Sequence, residues 1–233
     1  MANNQPTLLV VAGSNGAGKS THSRNLLPEE MEGLDIWDFD IQFNDLKKQM
    51  VQDGIPVKEA NVKANDQVND WFNELRNTAM DSKSSFAYEG HFTEGSHWQP
   101  LLEAKQEGYF VHMVYLGLKD ELTSIHRVNR RTKAGGHYVS EQQAVLNYFG
   151  NIDMLDRNLR LPHKIDIYQT DNVIELVCTV ENGAVIHAIK NIPNWIVKEM
   201  PELNNLLAAY INNQPLSVRK RTGEKPGRSG QKL

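Results

Sequence analysis

Short apolar runs alternate with longer stretches of helical spacing along most of the chain, which predicts a repeated strand-helix order. Residues 8–12 are a wholly apolar run of strand length, and residues 34–38 are a shorter one. Residues 85–91 read as a third strand with a polar exit. Residues 109–116, rich in β-branched and aromatic side chains, read as a central strand buried on both faces. Between these runs the spacing predicts helices over 19–27, 41–52, 58–81 and 98–107, punctuated by Pro28, by Gly54 and Pro56, and by Gly108. Further helices are expected over 119–133, which ends at Gly135-Gly136, over 140–158 with Ser140 as N-cap, and over 194–212. After a strand at 165–170, the runs 173–180 and 184–189 flank Glu181-Asn182-Gly183, whose Asn-Gly step signals a hairpin. The pattern is that of an α/β protein with a mainly parallel sheet and an antiparallel hairpin at its C-terminal side.

Composition narrows the class. The chain has 233 residues, 23% of them charged, and a net charge of −4, so it has no overall attraction to nucleic acid or acidic membranes. Its length suits one sizeable core with decorations. The single cysteine, Cys178, lies in an apolar run and is expected to be a buried core thiol. The start Met1-Ala2-Asn3-Asn4-Gln5 lacks the basic flank and apolar stretch of a signal peptide, and no segment approaches the ~18 apolar residues of a membrane span. A cytoplasmic protein with no membrane partner is expected. Beyond Pro215, Arg219, Lys220, Arg221, Lys225, Arg228 and Lys232 stand among Gly, Ser and Pro, which predicts a disordered basic tail over 214–233. The alternative is a basic arm that touches a nucleic acid or an acidic partner.

The chemistry enters at Gly13-Ser14-Asn15-Gly16-Ala17-Gly18-Lys19-Ser20, a complete phosphate-binding loop set between the first strand and a helix-compatible stretch. Glycines let successive backbone N–H groups converge on the β- and γ-phosphates, and the following helix adds its positive end. Lys19 is expected to reach the β/γ oxygens and Ser20 to hold Mg²⁺. A turn that merely closes a strand-to-helix connection explains one or two glycines but not Lys-Ser at that offset. The fold class is therefore a P-loop NTPase-type three-layer α/β fold, with residues 1–213 as a single kinase-like domain.

Phosphoryl transfer also needs a carboxylate and cations over the transferred group. Strand C-termini gather on the loop's side of a parallel sheet, so Asp38, Asp40 and Glu89 should face the nucleotide crevice. Asp40 is the candidate general base, with an N-cap of the following helix as its alternative role. Glu89 is a candidate for acceptor binding or for Mg²⁺ through water, and Asp38 is the weaker candidate, since it could simply solvate the turn. On the basic helix, Arg127 shares a face with Arg130 or Arg131, a face that suits charge developing on the γ-phosphoryl group. His137, after two glycines, is a candidate contact to phosphate or acceptor.

Together these elements resemble the zeta toxin family of P-loop kinases, in its compact bacterial branch of predicted ATPases. The resemblance rests on Ala12 to Thr21, on Asp38-Phe39-Asp40, on Phe86-Ala87-Tyr88-Glu89, on residues 108–116, and on the basic helix running into Gly135-Gly136-His137-Tyr138-Val139. It implies an ATP- or GTP-dependent, Mg²⁺-requiring kinase that phosphorylates a hydroxyl of a small molecule, with a UDP-amino sugar as the family's best-known acceptor and an antitoxin as partner. By the same resemblance residues Gly13 to Thr21 bind nucleotide, Asp40 is the catalytic carboxylate, Glu89 the acceptor-side acid and Arg131 the phosphate-contacting arginine. Two positions depart from the family pattern. Ser140 stands where proline is usual, and Asn147 stands where a second arginine is expected, a loss on the order of 3 kcal/mol if that arginine shares the γ-phosphoryl charge. Arg157 and Arg160 are candidate substitutes for it. The rival readings are a nucleotide-binding module without efficient catalysis, which Asn147 favours, and a nucleic-acid end kinase, which the acidic balance opposes.

Overall fold

The computed structural model describes residues 5–136 and 138–213. The expectations for His137, for the first four residues and for the tail 214–233 lie outside the described residues.

Seven strands form one sheet in the order β2-β3-β1-β4-β5-β6-β7. Strands β1 (Thr7–Gly13), β2 (Ile36–Asp38), β3 (Phe86–Gly90), β4 (Phe110–Gly117) and β5 (Lys164–Gln169) run parallel. Strands β6 (Glu175–Glu181) and β7 (Ala184–Ala188) complete the sheet antiparallel, joined through Asn182 and Gly183, both at positive φ as a two-residue hairpin turn requires. Every residue of β1 is buried regardless of which face it points to, so helices cover both sides of the sheet there. Strand β4, also buried along almost its whole length, is the central strand expected from its run of β-branched and aromatic residues.

The helices are α1 (Lys19–His22), α2 (Phe39–Gln52), α3 (Val57–Ser82), α4 (Gln99–Gln106), α5 (Glu121–Lys133), α6 (Glu141–Arg157), α7 (Asn194–Glu199) and α8 (Pro201–Asn213). Two differ from the periodicity in a physically clear way. The helix expected over 19–27 is a single α turn followed by a 3-10 turn at Ser23–Leu26, because Pro28 forces Leu27 into extended backbone. The single helix expected over 194–212 is broken at Met200, whose φ of −126° and ψ of 73° reflect the clash that Pro201 imposes on the residue before it. Pro201 instead opens α8, where its missing N–H costs nothing, and the carboxylate of Asp156 on α6 accepts from Glu202 N and Leu203 N. Cys178 is fully buried, and burial pushes its thiol up to about 12. Among the described residues no helix is long and apolar enough to cross a membrane.

A polar knot crosses the sheet away from the strand C-termini. The Asp166 carboxylate on β5 accepts from Thr179 Oγ1 at 2.7 Å, lies 2.8 Å from His112 Nε2, and pairs with Lys164 Nζ at 3.0 Å. Burial works to raise its pKa, but the three partners outweigh burial and hold it down at about 2. A folded pKa below the unfolded value near 3.8 means stability that is present at neutral pH and lost as pH falls through about 4 towards 2. We expect Asp166→Asn to unfold more easily by roughly 2 kcal/mol at pH 7. The difference from wild type should shrink towards zero near pH 2, read by urea titrations across pH.

Candidate active site

The phosphate loop leaves β1 at Gly13 and enters α1 at Lys19. Donors from outside it hold three of its carbonyls. Ser124 Oγ on α5 donates to Asn15 O at 2.7 Å, Arg127 Nη1 on α5 to Gly16 O at 3.1 Å, and Thr170 Oγ1 beyond β5 to Ala17 O at 2.8 Å. A trans peptide carries its N–H opposite its C=O, so holding the Asn15 and Ala17 carbonyls outward turns the N–H groups of Gly16 and Gly18 the other way. Gly16 sits at φ 74° with its α-carbon so close to α5 that a β-carbon would lie 2.8 Å from Arg127 Cβ. Only glycine fits there. Because α1 is one turn long, the site offers an anion its loop N–H groups and Lys19 more than a helix dipole.

Lys19 Nζ donates to Gly13 O at 3.0 Å and to Ser14 O at 3.4 Å. Burial lowers its pKa, Asp40, Glu89 and Asp38 draw it back up, and Arg131 adds to the lowering. Beside it, Ser20 Oγ lies 2.6 Å from Glu89 Oε1 and 3.0 Å from Asp38 Oδ2. One hydroxyl proton serves only one of these acceptors at a time. Burial, and next the adjoining Asp38 carboxylate, push Glu89 up to about 8. Burial also works to raise Asp38, yet hydrogen bonds from Glu89, Ile41 N and Ser20 hold it below the usual carboxylate range. The two neighbouring carboxylates thus shift in opposite directions, Glu89 up and Asp38 down. Glu89 Oε2 is buried with no hydrogen-bond partner.

The helix after β2 starts at Phe39, not at Ile41, because Asp38 is its N-cap and accepts from Ile41 N at 3.0 Å. Asp40 is thereby released from the capping role and stands in the first turn of α2, half-exposed, with Oδ2 3.9 Å from His91 Nε2. Burial and the nearby Lys19 cation hold the His91 pKa well below the ordinary histidine range, so its ring is neutral at pH 7. Two cavities open around these groups. One, of about 700 Å³, is bounded by the loop, by Arg127, Arg130 and Arg131 of α5, and by Thr170 to Asn172. The other, of about 610 Å³, lies between α3 and the exit of β3. They share Lys19, Asp38, Asp40 and Glu89.

The sequence model of the zeta toxin family matches residues 1–180, more than three-quarters of the chain. The chain belongs to the zeta toxin family. Solved structures share its fold. The AvrRxo1-ORF1:AvrRxo1-ORF2 complex with sulphate ions superposes with a TM-score of 0.64 at 15% identity, covering 93% of this chain and 74% of the other. The PezAT chromosomal toxin-antitoxin system of Streptococcus pneumoniae superposes with a TM-score of 0.54 at 18% identity, covering 89% of each chain. An uncharacterized protein of Haemophilus influenzae is 29% identical over 70 residues, 30% of this chain, and the match spans half of that relative's length.

Within this zeta toxin fold, Lys19, Asp40, Glu89 and Arg131 border one cavity. Asp38 borders the same cavity and is at the same time the N-cap of α2. Arg127 borders the same cavity, but its guanidinium is held by the Gly16, Thr170 and Asp171 carbonyls, which makes it a brace of the loop. Arg157 and Arg160 border neither cavity. Arg157 pairs with Asp153 at 2.9 Å on the exposed side of α6, and Arg160 packs beside Gly183. Asn147 faces the loop itself, with Nδ2 donating to Asn15 Oδ1 at 2.7 Å, while Asn15 Nδ2 lies 3.3 Å from His91 Nε2. Where an arginine would bring charge, this chain has a neutral tie between α6 and the loop. Only the fold could reveal it, since 132 residues separate the partners. We expect Asn147→Ala to remove about 1 kcal/mol of loop anchoring and to weaken nucleotide binding roughly fivefold by calorimetry. Unchanged affinity would mean that the tie does not shape the loop.

Proposed function

We propose that this zeta toxin family member is a kinase that transfers the γ-phosphoryl group of ATP or GTP to a hydroxyl of a small molecule. The observation that carries this reading is the meeting of two cavities at Lys19, Asp38, Asp40 and Glu89, one lined by the phosphate loop and arginines, the other by aromatic and amide side chains. The nucleotide binds in the first with its phosphates on the loop N–H groups, and the acceptor binds in the second. As the acceptor oxygen forms its bond to phosphorus, Asp40 takes the hydroxyl proton and the bond to the nucleoside diphosphate breaks. Lys19 and Arg131 offset the charge that develops on the transferred group.

Mg²⁺ fits the Ser20, Asp38 and Glu89 set, where a hydroxyl faces two carboxylates and Glu89 Oε2 has no other partner. Bound there with the nucleotide, it would neutralise phosphate charge. The resemblance makes a UDP-amino sugar the reference acceptor. PezAT is described as a toxin-antitoxin system, and we extend to this chain a protein antitoxin as partner and the cytoplasm as site of action.

Incubation with labelled ATP or GTP, Mg²⁺ and a panel of hydroxylated acceptors should yield a phosphorylated product. Asp40→Ala should lower its rate by about 10²–10⁴-fold with nucleotide affinity little changed. Nucleotide binding without transfer to any acceptor would favour a binding module, the reading that Asn147 supports. Glu89 supplies a pH test. Carrying a proton below about 8, it must lose it to bind a cation, so Mg²⁺–nucleotide binding at pH 7 should release a proton that is absent at pH 9 and in Glu89→Gln. Calorimetry in buffers of different ionisation enthalpy reads this directly.

A further inference from the structure

The second cavity has a chemistry of its own. Asn69, Phe72, Asn73 and Arg76 stand at i, i+3, i+4 and i+7 on α3 and so share the helix face that borders it. Aromatic rings make up much of the remaining wall. Phe39 and Phe72 have centroids 4.8 Å apart, Phe72 and Tyr88 4.9 Å, and Phe92 stacks on Tyr88 at 6.1 Å. Within this apolar wall two donors are unmet. The Tyr88 hydroxyl, on a side chain 4% exposed, and Arg76 Nε are buried without hydrogen-bond partners. An unmet buried donor is costly, so an occupant that brings an acceptor atom is favoured.

Charge separates the two cavities. The nucleotide side has Lys19 with Arg127, Arg130 and Arg131. On the acceptor side the described cations are Lys19, which the donor phosphates claim, and Arg76, whose Nη1 is paired with Glu103 at 2.8 Å. Asp38, Asp40 and Glu89 face them. A diphosphate placed there would meet carboxylates and one neutralised guanidinium. A flat heterocycle would meet rings on its faces and Asn73, Tyr88 and Arg76 donors at its carbonyl or ring-nitrogen edge.

We propose that the acceptor is an uncharged nucleoside, with its base against Phe72, its polar edge towards the Tyr88 hydroxyl and a sugar hydroxyl towards Asp40. This rests on the kinase reading above. The bond formed joins the sugar oxygen to the γ-phosphorus, the bond broken frees the donor as a nucleoside diphosphate, the proton goes to Asp40, and the product is a nucleoside monophosphate.

The test is calorimetry on the full chain with the donor site saturated by Mg²⁺ and a non-hydrolysable ATP analogue. Uridine, cytidine, adenosine and guanosine are titrated beside their 5′-diphosphates and a UDP-amino sugar. At least one nucleoside should bind tenfold or more tightly than its own diphosphate and than the UDP-amino sugar. Tyr88→Phe and Asn73→Ala, the second at an exposed helix position that tolerates change, should each weaken that binding several-fold and leave affinity for the analogue unaltered. No nucleoside binding, tighter binding of the diphosphate or the UDP-amino sugar, or wild-type affinity in both variants would overturn the proposal. Labelled ATP separates the two readings. Transfer to the UDP-amino sugar alone sinks the nucleoside and keeps the kinase, whereas nucleoside binding with no transfer to any acceptor sinks the kinase and keeps the ligand.

Discussion

The geometry of the phosphate loop depends on its carbonyls being held from behind. Ser124, Arg127 and Thr170 take the carbonyls of three successive loop residues, Asn15, Gly16 and Ala17. Without them the peptide planes would be free to rotate and the N–H groups would not converge. The donors come from α5 and from the end of β5, elements more than 100 residues along the chain. They arrive there because β4 lies beside β1 and β5 beside β4, so that the segments following both strands emerge at the loop. The sheet order is thus a condition of the site as well as of the core.

The same arrangement explains why acids collect at this edge. Strands β2 and β3 pair with Asp38 opposite Glu89, and β3 pairs with β1 so that Glu89 is opposite Val11, just before the loop. Two carboxylates held side by side in a half-closed space cannot both ionise readily. One is pushed up and the other held down, as the opposite shifts of Glu89 and Asp38 show. Asp40, two residues beyond Asp38, is half-exposed and lies 3.9 Å from His91 Nε2.

Helix α6 links the two cavities mechanically. Asn147 ties it to the loop through Asn15, while Asn151, one turn on, accepts from Phe92 N in the wall of the second cavity. Gly150 lies between them against Thr93, where a β-carbon would come within 3.1 Å. The phosphate loop and the wall of the second cavity thus rest on one face of a single helix. A neutral amide at position 147 preserves that support, whatever it forgoes in charge.

The parallel sheet, its hairpin, most helices and the phosphate loop were legible in the chain, because each rests on local rules: buried strands are continuous apolar runs, Asn-Gly turns accept positive φ, and glycine followed by Lys-Ser serves one geometry. Pro28 was legible as a stop, whereas the break at Pro201 was not: the spacing predicted one helix over 194–212, and the extended Met200 appears only in the fold. The division of labour among polar residues was not. Whether Asp38 or Asp40 caps α2 turns on one or two residues of helix boundary, and Arg127, Arg130 and Arg131 look alike until carbonyls claim the first. The place of Asn147 was still less accessible. A side chain's partner 132 positions away is decided by how layers pack, and periodicity carries no information about contacts at that distance. Local chemistry in the sequence determined that this chain has a phosphate-binding edge; tertiary structure decided which side chains brace that edge and which face its cavities.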